Sequence, residues 1–269
     1  MRIARTVSGM RDHLAAHRAR GATIGLVPTM GAFHDGHVAL FEAARRECDV
    51  VVVSLFVNPA QFGDPKDLAA YPRDLDRDAE IARARGVDYL FAPDVAGIYP
   101  AGHATWVDVG GAAEGLEGEF RPGHFRGVAT ICLKLFNIVA PRHAYFGQKD
   151  AQQVAVIQQV VRDLDLPMNI RVIPTVRDAD GLALSSRNAR LSARERQLAR
   201  AIPQALFAGA AAYRQGADPV AAARRELEGL DTDYVAVATL NGLRALVVAA
   251  RVGSTRLIDN LPLDDASVP

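Results

Sequence analysis

Residues 49–58, DVVVVSLFVN, constrain the fold most, because apolar and β-branched residues follow one another there almost without interruption. Such a run is typical of a parallel strand that is buried on both faces. Residues 24–28 form a second apolar segment, and residues 36–47 between the two have the spacing of an amphipathic helix. Strand, helix and strand together predict a right-handed βαβ unit.

The alternation of strand and helix patterns continues along the chain to about residue 175. Helices and short strands are predicted in turn at residues 75–85, 88–92, 127–139, 144–146, 150–164 and 168–174. This alternation predicts an α/β domain with a parallel sheet over residues 1–175.

The pattern changes after residue 176. A long segment rich in Ala and Arg, residues 192–215, is predicted as one helix, and another helix is predicted after Asp218-Pro219. Three short strands, an antiparallel meander, are then predicted at residues 234–239, 245–252 and 255–260. A chain of 269 residues allows one large domain or two unequal ones. We predict two, with residues 176–269 forming a smaller α+β domain.

Composition limits the classes of partner. Lys plus Arg and Asp plus Glu number 31 each, so the formal net charge is zero, and no basic run indicates a nucleic-acid surface. Residues 1–20 lack the apolar core of a secretory signal, and no segment approaches the roughly 20 apolar residues of a membrane span. Cys48 and Cys132 lack the spacing of a zinc or redox site and are predicted as buried apolar residues. We predict a cytoplasmic protein with no nucleic-acid or membrane partner.

The junction between the first predicted strand and helix carries the motif His34-Asp35-Gly36-His37. In open α/β sheets ligands bind at the carboxyl ends of strands, and a helix N-terminus offers N–H groups and partial positive charge to phosphates. The position therefore predicts nucleotide chemistry, with both imidazoles in the first helical turn. Two alternatives stay open. The histidines are ordinary surface or capping residues, or they are a zinc pair, although the acidic residue of HExxH is missing.

Polar residues also follow two later strands of the predicted sheet. Gln61 comes shortly after residues 49–58, and Lys149, Asp150 and Gln153 stand where a strand runs into a helix. Because the carboxyl ends of parallel strands share one edge, we predict these side chains near the same ligand. Lys149 would neutralise phosphate, and the glutamines would bind a polar substrate. Alternatively, Gln61 satisfies loop carbonyls and Lys149 pairs with Asp150 in solvent.

A third candidate is the basic, hydroxyl-rich loop Ser185-Ser186-Arg187. Hydroxyl groups donate to phosphate oxygens, and a guanidinium presents a planar fork that fits the β- and γ-phosphates. The alternative is a solvated turn or the cap of the next helix.

The HxGH pattern at a strand-to-helix junction resembles the signature of the adenylyl- and cytidylyltransferase superfamily, which also contains class I aminoacyl-tRNA synthetases. Six motifs follow in order over most of residues 27–190: PTMGAFHDGH, SLFVNPAQF, YPRDLDRD, RPGHFRGV, YFGQKDAQQ and DGLALSSRN. This ordered set is similar to the pantothenate synthetase family. The resemblance implies a Rossmann-like first domain and a homodimer. It also implies ligation of pantoate to β-alanine through a pantoyl adenylate, with ATP cleaved to AMP and pyrophosphate.

The resemblance also implies which residues bind ATP. His37 would be the catalytic histidine, with His34 beside it, and Lys149 and Arg187 would supply most of the positive charge. The ATP site would comprise Met30, Gly31, Ala32, Phe33, His34, Asp35, Gly36, His37, Gly147, Gln148, Lys149, Asp150, Val176, Leu184, Ser185, Ser186 and Arg187.

Other roles implied by the resemblance concern the acid, the metal ion and the second domain. Gln61 and Gln153 would bind pantoate, with Gln61 also near β-alanine, and Arg121 is a further candidate contact. Asp78 is a candidate neighbour of Mg²⁺, and the alternative is a solvated helix carboxylate. The second domain would act as a lid that keeps water from the reactive mixed anhydride.

Three residues depart from the family pattern. Phe33 stands where Leu is usual, Leu184 where Met is usual and Asp178 where Glu is common. The first two keep their apolar bulk, so we expect changed packing around the adenosine with activity retained. The functional alternatives are a nucleotidyltransferase acting on another small acid or phosphate, and a silent nucleotide-binding regulator. Length and the lack of a basic anticodon-binding region disfavour a tRNA synthetase.

Overall fold

A computed structural model describes residues 1–264 of the chain. The chain forms two compact units. The first contains residues 1–147 and 156–173, and the second contains residues 148–155 and those from residue 174 onward. The domain limits 1–175 and 176–269 stay predictions. The second unit also takes in the short segment 148–155, which the sequence patterns assigned to the first domain.

The first unit contains one parallel sheet of six strands. The strands are β1 (Arg2–Ala4), β2 (Ile24–Thr29), β3 (Val50–Leu55), β4 (Tyr89–Phe91), β5 (His143–Gly147) and β6 (Asn169–Ile173). Their order across the sheet is β1-β4-β3-β2-β5-β6. The strand order reverses between β2 and β5, and such a switch point is where open α/β sheets bind ligands. The predicted Rossmann-like parallel sheet is confirmed.

Helices connect these strands. They are α1 (Val7–Ala19), α2 (Asp35–Glu47), α3 (Pro65–Ala69), α4 (Leu75–Ala84), α5 (Val95–Ile98), α6 (Leu116–Phe120), α7 (His124–Val139) and α8 (Ala151–Asp163). The predicted helices at 36–47, 75–85, 127–139 and 150–164 are confirmed. Strand β1 and helix α1 had no sequence prediction, because β1 is only three residues long and α1 buries only Met10 and Leu14.

The predicted βαβ unit is formed by β2, α2 and β3. Strand β3 pairs in parallel with β2, and Val50, Val51, Val52 and Val53 are all buried. This burial is what the uninterrupted β-branched run predicted. Cys48 and Cys132 are free and buried, as predicted.

The second unit contains an antiparallel meander of β7 (Asp231–Leu240), β8 (Leu243–Val252) and β9 (Thr255–Pro262). Asn241 and Gly242 connect β7 to β8 with positive φ angles of 50° and 85°, the backbone that a two-residue hairpin turn requires. Helices α9 (Ala193–Ala199), α10 (Ala201–Arg214) and α11 (Pro219–Glu226) belong to the same unit. Leu206 of α10 and Val248 of β8 are in its core. The predicted α+β architecture is confirmed.

The single helix predicted over residues 192–215 is wrong. The structure has two helices, α9 and α10, separated at Arg200. Pro203 lies in the first turn of α10 and has no N–H to donate to the carbonyl of Ala199, so a continuous helix would lack that hydrogen bond. Proline is tolerated in a first turn, which favours a new helix start there.

Across residues 1–264, none of the helices has the length and apolar character that a membrane crossing needs.

Candidate active site

The loop of residues 30–37 follows β2 at the switch point of the sheet. Gly31 and Ala32 both have positive φ angles, 86° and 55°, so the chain turns sharply between the strand and α2. A Cβ atom on Gly31 would lie 2.8 Å from Oδ2 of Asp78. Glycine is therefore required here by both its φ angle and the close approach of the carboxylate.

The side chain of Asp78, on α4, holds this loop by accepting hydrogen bonds from the backbone of the loop. Oδ2 accepts a hydrogen bond from the N–H of Ala32 and Oδ1 accepts one from the N–H of Phe33, each at 2.8 Å. The Asp78 side chain is completely buried, so the alternative of a solvated helix carboxylate is wrong. Burial raises the pKa of Asp78, and the two backbone bonds oppose that shift. With both oxygens engaged, Asp78 fits a loop anchor better than a magnesium ligand.

His34 and His37 are bonded to the backbone at the start of α2. His34 is the N-cap, and its Nδ1 accepts from the N–H of Gly36 at 3.2 Å. Nδ1 of His37 accepts from the N–H of His34 at 3.3 Å, which completes a reciprocal capping box. Because Nδ1 of each neutral ring is an acceptor, its proton lies on Nε2. Both rings therefore cap α2, and each still has an Nε2–H donor, so the geometry fits the capping and the catalytic predictions alike and both stay predictions.

Phe33, one of the three departures from the family pattern, packs into the core of the first unit. It is 1% exposed, lies edge-on to Phe41 with ring centroids 5.1 Å apart, and is 5.4 Å from the ring of His37. The rings of His34 and His37 are 4.2 Å apart. Phe33 thus packs against His37 from the protein interior.

Gln61 lies beside this loop. Its Nε2 donates to Sδ of Met30 at 3.1 Å, and its Oε1 accepts from Nδ2 of Asn58 at 3.0 Å. Asn58 in turn accepts from the hydroxyl of Tyr99 at 2.9 Å. The chain of bonds fixes which end of the Gln61 amide is the donor, and that donor is directed toward the loop.

Arg121 approaches the backbone of the same glutamine. Its guanidinium lies 3.4 Å from the carbonyl oxygen of Gln61, and His124 Nδ1 is 2.9 Å from that oxygen. Arg121 also forms an ion pair with Glu117, 3.5 Å away. Gly127 of α7 lets this helix pack closely, because a Cβ there would lie 2.7 Å from the backbone nitrogen of Gln61. The first unit therefore brings Gln61 and Arg121 together.

The remaining candidates after β5 lie in the second unit. Gln148–Asp150 is a single 3₁₀ turn, and Gln153 is half-buried on α8. Nζ of Lys149 lies 3.3 Å from Oδ1 of Asp150, so the two side chains form the pair that the alternative named, while the role of Lys149 in phosphate binding stays a prediction. The Lys149 side chain is only 18% exposed, which is less than a fully solvated pair would show.

The loop of residues 184–187 follows a short backbone hairpin. The N–H of Leu184 donates to the carbonyl of Val176 at 2.9 Å, and Arg177 forms an isolated bridge with Ala183. The Ser185 hydroxyl accepts from the N–H of Arg187 at 3.3 Å, so the cap alternative is confirmed for Ser185. A 3₁₀ helix, Ser186–Arg190, begins at this point.

Asp178, another departure from the family pattern, has a clear partner. Its Oδ2 accepts from Arg196 of α9 at 2.5 Å, and Arg196 also donates to Asp180 at 3.0 Å. The shorter carboxylate therefore forms an ion pair between the hairpin and α9.

Metal binding by the two histidines finds no support. Among residues 1–264, no group of three or more His, Cys, Asp or Glu side chains is arranged around a common point. A structural zinc ion needs about four such ligands, so the described residues do not fit the zinc alternative for His34 and His37.

Known proteins of similar sequence and structure identify the family. The family model described as pantoate-beta-alanine ligase matches residues 2–262. The chain belongs to the pantoate–β-alanine ligase family. The pantothenate synthetase of Moorella thermoacetica is 50% identical over 280 aligned positions, covering 98% of this chain and 99% of the relative. That of Rhizorhabdus wittichii is 50% identical over 281 positions, covering 99% of this chain and all of the relative.

Solved structures of the family agree with the fold. The pantothenate synthetase of Thermus thermophilus superimposes with a TM-score of 0.92 and 44% identity, covering 98% of this chain and 99% of the other. The pantoate-beta-alanine ligase of Francisella tularensis, solved with beta-gamma ATP and β-alanine, gives a TM-score of 0.86 and 36% identity, with 98% of each chain covered. The predicted family resemblance is confirmed.

Several residues that support the family motifs had no prediction from the sequence. Asn58 and Tyr99 fix the Gln61 amide, and Arg177 pairs with Asp259 at 2.6 Å. A signal for the last pair was present. Asp259 and Asn260 are adjacent polar residues that stand between the apolar residues Ile258 and Leu261 of β9, and both are buried. Buried polar side chains in a strand indicate specific partners.

Proposed function

We propose that this chain forms pantothenate from pantoate and β-alanine, cleaves ATP to AMP and pyrophosphate, and passes through a pantoyl adenylate. The observation that carries the proposal is the loop of residues 30–37. It follows β2 at the switch point of a parallel sheet, and it has two imidazoles with Nε2–H donors at the start of α2. Membership of the pantoate–β-alanine ligase family supplies the substrates.

In the first step an oxygen of the pantoate carboxylate attacks the α-phosphorus of ATP, and pyrophosphate leaves. Such a displacement chiefly needs positioning and donors directed at the developing phosphate charge. His34 and His37 are assigned as those donors, together with the N-terminus of α2. Lys149 and Arg187 are assigned to the phosphates, because an ammonium and a guanidinium are the cations that proteins use for this purpose.

Gln61 is assigned to pantoate. Because Asn58 occupies its Oε1, the amide presents N–H to a ligand near Met30, and a carboxylate or hydroxyl oxygen is the group that accepts such a bond. Arg121, beside the Gln61 carbonyl, is assigned as a further cation for an anionic substrate. Gln153 completes the proposed pantoate-binding set.

In the second step the amine of β-alanine attacks the acyl carbon of the adenylate, and AMP leaves with its electron pair. Water must be kept away, because the mixed anhydride would otherwise hydrolyse. The lid role of residues 176–269 is part of this proposal. A magnesium ion accompanying the ATP phosphates, a homodimer and a cytoplasmic location also belong to it, and Asp78 is not assigned as a metal ligand.

The test of the adenylate is pyrophosphate exchange. The chain is incubated with ATP, labelled pyrophosphate and pantoate, without β-alanine, and label in ATP is measured. We expect exchange only when pantoate is present. Normal pantothenate formation without any exchange would contradict the order of the two steps.

Product analysis separates the ligase from the alternative nucleotidyltransferase. A complete mixture is compared with mixtures that lack pantoate or β-alanine, and AMP is quantified. The proposed ligase releases AMP only when both are present. A product that retains AMP would instead favour the nucleotidyltransferase.

A further inference from the structure

Asn260 of β9 is bonded to the turn that carries Lys149. Its Nδ2 donates to the carbonyl oxygens of Gln148 and Lys149, at 2.9 Å and 2.8 Å. Its Oδ1 accepts from Nε2 of Gln148 at 3.2 Å. Asn260 is 3% exposed, so these bonds form away from competing water. One amide side chain therefore engages two consecutive backbone carbonyls and one side chain of the turn Gln148–Asp150.

The neighbouring residue, Asp259, fixes Asn260 in turn. Successive side chains of a strand point to opposite faces, so Asp259 and Asn260 form their bonds on opposite sides of β9. The carboxylate of Asp259 accepts two bonds from the Arg177 guanidinium, at 2.6 Å and 3.1 Å, and one from the N–H of Asn260 at 2.8 Å. Arg177 also donates to the carbonyl of Asn260 at 3.3 Å. The strand is thereby tied to the hairpin that leads to Ser185 and Arg187.

We propose that Asn260 is a positioning residue for ATP binding, which fixes the backbone of the Gln148–Asp150 turn and thereby directs Lys149 toward the phosphates. The proposal rests on the proposed function, in which Lys149 binds ATP. Lys149 has a long side chain, so a fixed backbone reduces the conformational freedom that ATP binding must remove. An amide suits the position, because two carbonyl oxygens need N–H donors and a carboxylate offers none.

The experiment compares Asn260→Ala and Asn260→Asp with the parent chain. Affinity for a non-hydrolysable ATP analogue is measured by calorimetry, after a thermal melt has established that each variant is folded. We expect both variants to bind about 10- to 100-fold more weakly, since small misplacements of a binding group have effects of this size. Leu257→Ala is the matched control. Leu257 lies on the same strand in the apolar core, so stability falls while affinity stays within about twofold of the parent.

A double-mutant cycle separates positioning from general damage. If Asn260 acts through Lys149, then adding Asn260→Ala to Lys149→Ala changes analogue affinity by less than about twofold. An equal loss of affinity with and without Lys149 would overturn the proposal, and so would parent-like binding by the Asn260 variants. Should neither variant fold, Asn260→Ser retains one short donor. It is expected to bind between the parent and Lys149→Ala, and parent-like binding would overturn the proposal.

Analogue binding needs neither pantoate nor β-alanine. If the parent binds the analogue and depends on Asn260 but forms no pantothenate, the proposed function fails and the positioning role stands. If the parent makes pantothenate but the Asn260 variants bind the ATP analogue as tightly as the parent, the positioning role alone fails.

Discussion

The loop of residues 30–37 is fixed by an aspartate, whereas the turn Gln148–Asp150 is fixed by an asparagine. In the first region the backbone presents N–H groups, and the carboxylate of Asp78 accepts from two of them. In the second region the backbone presents carbonyl oxygens, and the amide of Asn260 donates to two of them. Both anchors are buried. The residue type at each anchor therefore matches the backbone groups it faces: a carboxylate accepts from N–H groups, and an amide donates to carbonyl oxygens.

The two regions also differ in what holds the side chains assigned to chemistry. His34 and His37 are themselves part of the capping box, so the same atoms stabilise the helix start and orient the rings. Lys149 is held through its turn and through one exposed carboxylate, that of Asp150. Changes near the histidines should therefore alter structure and activity together, whereas changes at the second anchor should act on ATP binding through the backbone.

The largest expected effect is on stability, at the ion pair behind the second anchor. Asp259→Asn removes the buried charge that pairs with the partly buried Arg177 guanidinium, which should lower the free energy of unfolding by about 3 kcal/mol, the lower end of the range for buried pairs. Urea unfolding measures the change. Asp231→Asn, in the exposed pair with Arg251 on the same sheet, is the control and should change little. Equal effects of the two substitutions would contradict the assignment of a buried anchor.

Removing a histidine from the first region should affect activity most. His37→Ala deletes one Nε2–H donor and should lower kcat/KM for AMP release by about 10²–10³-fold. The lost cap should lower the free energy of unfolding by about 1 kcal/mol. His13→Ala on α1, which carries no candidate site residue, should keep full activity. If His37→Ala were as active as the parent chain, His37 would not be the catalytic histidine.

The isosteric change Asp78→Asn tests the polarity of the first anchor. An asparagine accepts at one atom only, and its NH₂ group would face a backbone N–H, so one donor of the loop is left unsatisfied. We expect kcat/KM for AMP release to fall about 10- to 100-fold, because the histidines follow this loop. Asp76→Asn, an exposed aspartate on the same helix, is the matched control. A parent-like rate for Asp78→Asn would show that the loop does not depend on a carboxylate.

The smallest effect is a pH dependence of stability. Burial raises the pKa of Asp78 in the folded chain above its ordinary value of 3.8. Between the two pKa values the folded state binds more protons than the unfolded state, so this contribution to stability falls as the pH rises. The effect amounts to about 1.4 kcal/mol for each unit between them.

Thermal melts at pH 4, 5, 6 and 7 provide the measurement. The melting temperature of the parent minus that of Asp78→Asn should decrease as the pH rises, because the variant lacks this titration. A difference that increases with pH would mean that the two backbone bonds outweigh burial.

Local sequence patterns predicted most of the helices and strands, but they did not predict the break between two consecutive helices. The β-branched run of β3, the helix α2 and the three-stranded meander follow from periodicity and turn residues, which are properties of neighbouring positions. The break at Arg200 escaped prediction, because Ala- and Arg-rich flanks on both sides favour helix and Pro203 is compatible with a first turn. The three-residue strand β1 was too short to show a period.

The sequence by itself determined the α/β sheet, the family, and the strand-end positions of His34, His37, Gln61 and Lys149. These features depend on the order of residues that are close together along the chain. The tertiary structure decided what holds them. Asp78 lies 46 positions from Ala32, and Asn260 lies 111 positions from Lys149, so the partners meet only once the chain has closed. In a sequence, an aspartate whose carboxylate is solvated cannot be distinguished from an aspartate that is buried and anchors a loop. Burial and the polarity of the facing backbone distinguish them.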